Sequence, residues 1–140
     1  MTWESYKSQI EAAGKPQEDW YILGIDLGTT NSVVSYWDSQ NRKPEPIDIS
    51  NGFGKIPMPS VVQFRPDTEP GAGADAGEWL VGEEAFRALK IYPQTTIRSI
   101  KRRMGTAKTV RLAGKDYLPE EISAKILTEL LNYVQSMNPK

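Results

Sequence analysis

Asp26 closes a short apolar run, Ile22-Leu23-Gly24-Ile25, and Gly28, Thr29, Thr30, Asn31 and Ser32 follow before apolar residues resume at Val33-Val34. A single carboxylate beside a glycine and several hydroxyls has a definite chemical use. Backbone N–H groups and hydroxyls gathered in a tight turn grip phosphate oxygens. A carboxylate beside those phosphates holds hydrated Mg²⁺. Gly28 lets the chain turn where a side chain would clash. The pattern predicts strand, tight turn, strand, with the acid ending the first strand. An ordinary polar hairpin turn has the same composition. The residues by themselves therefore establish a turn able to bind phosphate, and no more.

A second group of reactive side chains is basic. Residues 98–115 hold seven cations, Arg98, Lys101, Arg102, Arg103, Lys108, Arg111 and Lys115, and no acid. A solvated basic face explains such a run. Nucleic-acid recognition fits poorly, because aromatics are not interleaved and the formal net charge is −1. Gly71, Gly73 and Gly77 do not satisfy a G-x-G-x-x-G spacing and lack a strand–helix context, so no second phosphate loop is expected there.

Composition removes other chemistry. The chain has no cysteine and no histidine, which excludes disulfides, thiolate metal sites, HExxH zinc sites and imidazole-based triads. The chain has 140 residues, 39% of them hydrophobic and 25% charged. One globular domain with a real core is expected from that size and balance. The first twenty residues hold no long apolar stretch, so neither a secretory signal nor a membrane span is read there, and the cytoplasm is the expected compartment.

The elements that must position these groups follow from periodicity. Strands are expected at 21–26, 32–37, 45–49, 59–64 and 79–81, with turns at 38–41 and 51–54 and a mobile surface loop over 65–77. Helices are expected over 83–91, stopped by Pro93, and over 95–104, ended by Gly105. Residues 109–112 and 115–118 form a small hairpin around Ala113-Gly114. Pro119 opens a last helix whose stripe, Ile122, Ile126, Leu127, Leu130, Leu131, Val134 and Met137, faces the core. The three strands of 21–49 are predicted to lie side by side and antiparallel, with this helix on one face. Residues 5–13 have the spacing of a short helix, with a flexible leader as the other reading.

GIDLGTTNS resembles the first nucleotide-binding signature of the DnaK-type, seventy-kilodalton heat-shock chaperones. IPMPSVVQF resembles that family's next strand-forming segment, in which a threonine usually stands at the place of Met58. LVGEEA, YPQTTIRSIKRRMG and KDYLPEEISAKIL resemble the following segments in the family's order, so the likeness covers residues 21–137. Residues 1–20 do not fit the pattern and are taken as an N-terminal extension. Actin and sugar kinases share only the D-x-G-T part, and the DLGTTNS and SIKRRMG pair argues against a kinase half.

The resemblance implies an α/β fold: a ribonuclease H-like, actin-like ATPase half-lobe, with a mixed sheet, antiparallel N-terminal strands and flanking helices. It implies ATP or ADP with Mg²⁺ as ligands. Asp26 would hold the metal through water, Gly28 would permit the turn, Thr29 and Thr30 would contact phosphates, and Asn31 would present its backbone N–H. Lys101 would be the catalytic lysine, its ammonium stabilising charge near the γ-phosphate and attacking water. Arg102 would give electrostatic support. The implied partners are unfolded polypeptide clients, a J-domain co-chaperone and a nucleotide exchange factor, with no nucleic acid and no membrane. The second phosphate loop, adenine pocket and peptide-binding domain of that family have no counterpart in 21–140. The chain is therefore expected to be an incomplete first lobe, inactive alone and prone to self-association. A non-catalytic adaptor built on the same half-lobe is the alternative.

Overall fold

The computed structural model describes residues 22–38, 40–49, 56–73 and 76–137. The expected extension at 1–20 and the turn at 51–54 lie outside these residues. Three antiparallel ladders form the framework. In the first, β1 (Leu23–Leu27) pairs with β2 (Asn31–Asp38), which also pairs with β3 (Lys43–Pro46) and with the two-residue β4 (Met58–Pro59). In the second, β5 (Val61–Pro66) lies between β6 (Gly77–Val81) and β7 (Thr96–Arg98). In the third, β8 (Val110–Leu112) pairs with β9 (Lys115–Tyr117). Every ladder among the described residues is antiparallel.

The predicted side-by-side arrangement of the first three strands is therefore present. β3 begins earlier than the apolar pattern suggests, because Lys43–Pro46 is exposed or half-buried while Ile47 and Ile49 continue inward beyond it. Ile47 N–H donates to the Val34 carbonyl at 2.9 Å, so the apolar pair is held at the sheet even after the ladder stops. The turn before β3 is closed by Asp38, whose carboxylate accepts from Gln40 N–H at 2.9 Å, Asn41 N–H at 3.1 Å and the Asn41 amide at 2.6 Å. The Asn41 side-chain bond, then its backbone bond, hold the Asp38 carboxyl below the usual carboxylate range.

β5 is the central structural strand. Val61, Val62, Gln63 and Phe64 are all buried, so both of its faces are covered. On one face, α1 (Glu83–Ala88) places Ala85 against Val61 and Leu80. On the other, Val62 joins the main core. That core is closed by α2 (Pro119–Met137), which contributes Ile122, Ile126, Leu130 and Val134 against Val34, Ile47, Met58, Ile100, Val110 and Leu112. The i, i+4 spacing of these four residues puts them in one row on the helix surface. Leu131, expected in the stripe, is 41% exposed, and Leu127 is half-buried; burial follows the single i, i+4 row rather than the wider stripe. The Met137 side chain lies outside the description. α2 starts as its sequence predicts. Pro119 takes the first position, and Glu121 reaches back to accept the Leu118 N–H at 2.7 Å, satisfying a donor left over at the helix start.

Two helical expectations are corrected. α1 ends at Ala88, before Pro93, because Ile91 and Tyr92 both donate to the Ala88 carbonyl and tighten the chain into turns. The helix expected over 95–104 is not formed. Pro93–Thr95 is one 3-10 turn, Thr96–Arg98 is β7, and Ile100–Arg103 is a second 3-10 turn. Thr95, Thr96 and Ile97 are β-branched and favour an extended chain, and β5 offers them an edge. Thr96 Oγ1 donates to the Tyr92 carbonyl at 2.7 Å, which holds the entry to β7. Ser99 then takes a left-handed conformation (φ 57°), which ends the strand. Gly105 has φ 73°, as its expected place at a helical end requires, although the turn it follows is 3-10.

The β8–β9 hairpin turns through Ala113 (φ 48°) and Gly114 (φ 86°). This is the double left-handed geometry of a two-residue hairpin. It carries Tyr117 to Trp79 of β6, edge to face at 5.3 Å. Trp79 also meets Phe64 at 4.9 Å, and the Lys125 ammonium of α2 lies 4.8 Å over its ring. This aromatic stack ties hairpin, second sheet and long helix together.

Candidate phosphate-binding site

The turn between β1 and β2 comprises residues 28–30. Asp26 lies near the end of β1, opposite Val33 in the ladder, and its side chain is exposed. Thr30 and Asn31 are exposed; Gly28 and Thr29 are half-buried. The expected order, acid then glycine then hydroxyls, is thus displayed along one hairpin end. A Cβ added at Gly28 would collide with the Asn31 carbonyl oxygen. Only glycine permits that close approach across the turn. Gly28→Ala is expected to shift the turn and to cost about 1–3 kcal/mol of stability, read as a lower urea midpoint, with weaker nucleotide binding by calorimetry.

The turn is not held by its own bonds alone. Ser60, between β4 and β5, grips it twice: its Oγ–H donates to the Gly28 carbonyl at 2.9 Å, and its N–H donates to the Thr30 carbonyl at 2.8 Å. Ser32 Oγ lies 2.8 Å from Ser60 Oγ, and both residues are buried. Sequence reasoning missed Ser60 and the role of Ser32. The signal was available in IPMPSVVQF, where one hydroxyl sits in an apolar strand segment and a buried hydroxyl requires partners. Met58, standing where the resemblance leads one to expect threonine, is buried, and Gly82 (φ 80°) has no Cβ, where one would approach Met58 Cγ to 2.8 Å.

Lys101 and Arg102 lie on the 3-10 turn Ile100–Arg103, and both are exposed. Their backbone is anchored by Ile100, which is 3% exposed in the main core, and by the Arg102 N–H to Ser99 carbonyl bond of 3.2 Å. The register shows how they relate to the turn. Val61, the residue after Ser60, stands opposite Arg98, the last residue of β7. The turn 28–30 and the segment carrying Lys101 are therefore both fixed to the short stretch around Ser60 and Val61. Ser99 marks the change of direction between them. A non-glycine residue in the left-handed region stores strain, and such positions collect near functional groups. No cluster of three or more acidic side chains forms a metal centre among the described residues. Asp26 is an exposed single carboxylate, which suits an ion that keeps its water shell better than one that needs a full protein cage.

Among the described residues no helix is long and apolar enough to cross a membrane. A family model of the Hsp70 protein matches residues 22–110. The chain is 52% identical over 114 residues to the chaperone protein DnaK of Mycoplasmopsis pulmonis, covering 81% of this chain and 16% of that relative. It is 48% identical to DnaK of Mesomycoplasma hyopneumoniae and 49% identical to DnaK of Ureaplasma parvum, with the same 81% and 16% coverage. The chain thus spans about a sixth of the length of these relatives. The glycine-dependent turn ahead of β2 and the Ser60 that grips it both lie within the matched residues, and the chain belongs to the Hsp70 family.

Proposed function

We propose that this chain supplies the first phosphate-binding elements of an ATP-dependent molecular chaperone with an actin-like ATPase fold. One observation carries the reading: the glycine-dependent turn and the Lys101 segment are anchored on the same short stretch around Ser60 and Val61. In this proposal residues 21–140 form part of a first ATPase lobe, and 1–20 an extension ahead of it. ATP or ADP binds with Mg²⁺. Asp26 accepts hydrogen bonds from the water shell of the metal, and its exposure and single charge fit that role. Thr29 and Thr30 contact phosphate oxygens, and Asn31 presents its N–H to them. Lys101 stabilises the charge that develops on the transferred phosphoryl group, with Arg102 adding positive potential. The whole protein uses hydrolysis to control its grip on unfolded polypeptide, assisted by a J-domain co-chaperone and a nucleotide exchange factor, in the cytoplasm.

The test is Mg²⁺-dependent nucleotide binding. Titration of the full protein with ADP by calorimetry is expected to show binding that EDTA weakens. Asp26→Asn is expected to lower affinity in Mg²⁺ by about ten- to a hundredfold and to leave affinity in EDTA unchanged. Absence of any nucleotide binding by the wild type overturns the reading in favour of a non-catalytic, protein-binding half-lobe.

A further inference from the structure

We infer that Ser60 is a positioning residue, whose two bonds aim the N–H groups of the phosphate turn. This rests on the phosphate-binding reading of residues 28–31. The argument is geometric. In a planar trans peptide the C=O and the following N–H point in opposite directions, and every described peptide bond is trans. Ser60 Oγ–H binds the Gly28 carbonyl, so the Thr29 N–H, in the same peptide plane, points away from Ser60. Ser60 N–H binds the Thr30 carbonyl, so the Asn31 N–H points away from Ser60 too. One residue thereby sets two alternate peptide planes and directs two donors to the side opposite its own. That side is where an anion must lie to receive both.

Ser60 is fitted for this task. It is 2% exposed, so water does not compete for its hydroxyl. Flanking strands hold it from both directions: Pro59 pairs with Asn31 in β2, and Val61 pairs with Arg98 in β7. Ser32, also buried, places its hydroxyl against that of Ser60. The two serines are not equivalent. The Ser60 hydroxyl donates to the turn carbonyl, whereas the Ser32 hydroxyl reaches the turn through Ser60.

That asymmetry defines the experiment. Ser60→Ala and Ser32→Ala each remove one buried hydroxyl, but only Ser60→Ala releases the Gly28 carbonyl. In the full protein, Ser60→Ala is expected to weaken Mg·ADP binding about tenfold, with adenosine binding unchanged. Ser32→Ala is expected to lower the urea midpoint comparably while holding Mg·ADP affinity near the wild-type value. Amide hydrogen exchange gives an independent readout: the protection that saturating Mg·ADP gives the Thr29 and Asn31 amides is smaller in Ser60→Ala than in Ser32→Ala. Ser60→Cys, of similar size but with a poorer donor, is expected to fall between wild type and alanine, and it carries the test should the alanine variant not fold. Equal losses of Mg·ADP affinity in the two alanine variants, or wild-type affinity and exchange in Ser60→Ala, overturn the inference while the phosphate reading stands. A wild-type protein that binds adenosine but gains nothing from the diphosphate overturns the phosphate reading itself.

Discussion

Replacing Lys101 with alanine in the full protein is expected to slow ATP hydrolysis about a hundred- to a thousandfold, with a far smaller loss of ATP affinity. The expectation follows from how the side chain is held. Ile100, the residue before Lys101, is buried in the core, Ser99 takes a left-handed conformation ahead of it, and the Lys101 side chain stays exposed, with no ion pair to it among the described residues. An ammonium on an anchored backbone, with no competing carboxylate among the described residues, is available for charge that develops during phosphoryl transfer. A group used mainly in the transition state changes the hydrolysis rate more than the ground-state affinity. Single-turnover hydrolysis and calorimetry on the same preparation separate the two. Equal losses in rate and affinity mean that Lys101 merely anchors nucleotide.

The 140-residue polypeptide taken alone is expected to release no phosphate above the buffer rate and to exist as a dimer or larger species. Asp26, Thr30, Asn31, Lys101 and Arg102 are all exposed. Electrostatic catalysis needs donors that converge from several sides in a cleft from which water is excluded. Association follows from β1. Among the described residues it pairs only with β2, and Ile22 (65%) just before it and Ile25 (38%) within it are exposed. An open apolar strand edge recruits another strand. Steady phosphate release that Lys101→Ala abolishes refutes the first half of this prediction. Light scattering that gives a monomer at high concentration refutes the second.

The parts of the fold that sequence made legible are those decided locally. Ala113-Gly114 between two short apolar runs forms the expected hairpin, and Pro119 with Glu120 and Glu121 opens the expected helix. Asp26 and Gly28 fall where a strand, an acid and a tight turn predict them. What escaped was decided at a distance. The segment 95–104 has residues acceptable to a helix, but β5 supplies a partner edge, and pairing with that distant strand outweighs weak local propensity. Leu131 has the spacing of the apolar stripe, yet the core ends at the row from Ile122 to Val134. Ser60 escaped because its carbonyl partners, Gly28 and Thr30, lie far earlier in the chain. Nothing in a one-dimensional pattern shows which turn a buried hydroxyl will meet. The roles proposed for Asp26 and Lys101 rest on family resemblance, since composition alone leaves a polar turn and a basic face.

The aromatic stack around Trp79 makes the protein its own optical probe. The indole belongs to β6, but its immediate surroundings are borrowed: Tyr117 comes from the hairpin and the Lys125 ammonium from α2. A nearby cation and the edge of a phenol alter the emission of an indole, so separation of either element from β6 changes the signal without cutting any strand pairing. With Trp3, Trp20 and Trp37 changed to phenylalanine, the remaining fluorescence follows the docking of the long helix and the hairpin, rather than the integrity of the first sheet. Any loosening at this seam on addition of Mg·ADP is then read in real time from Trp79 alone.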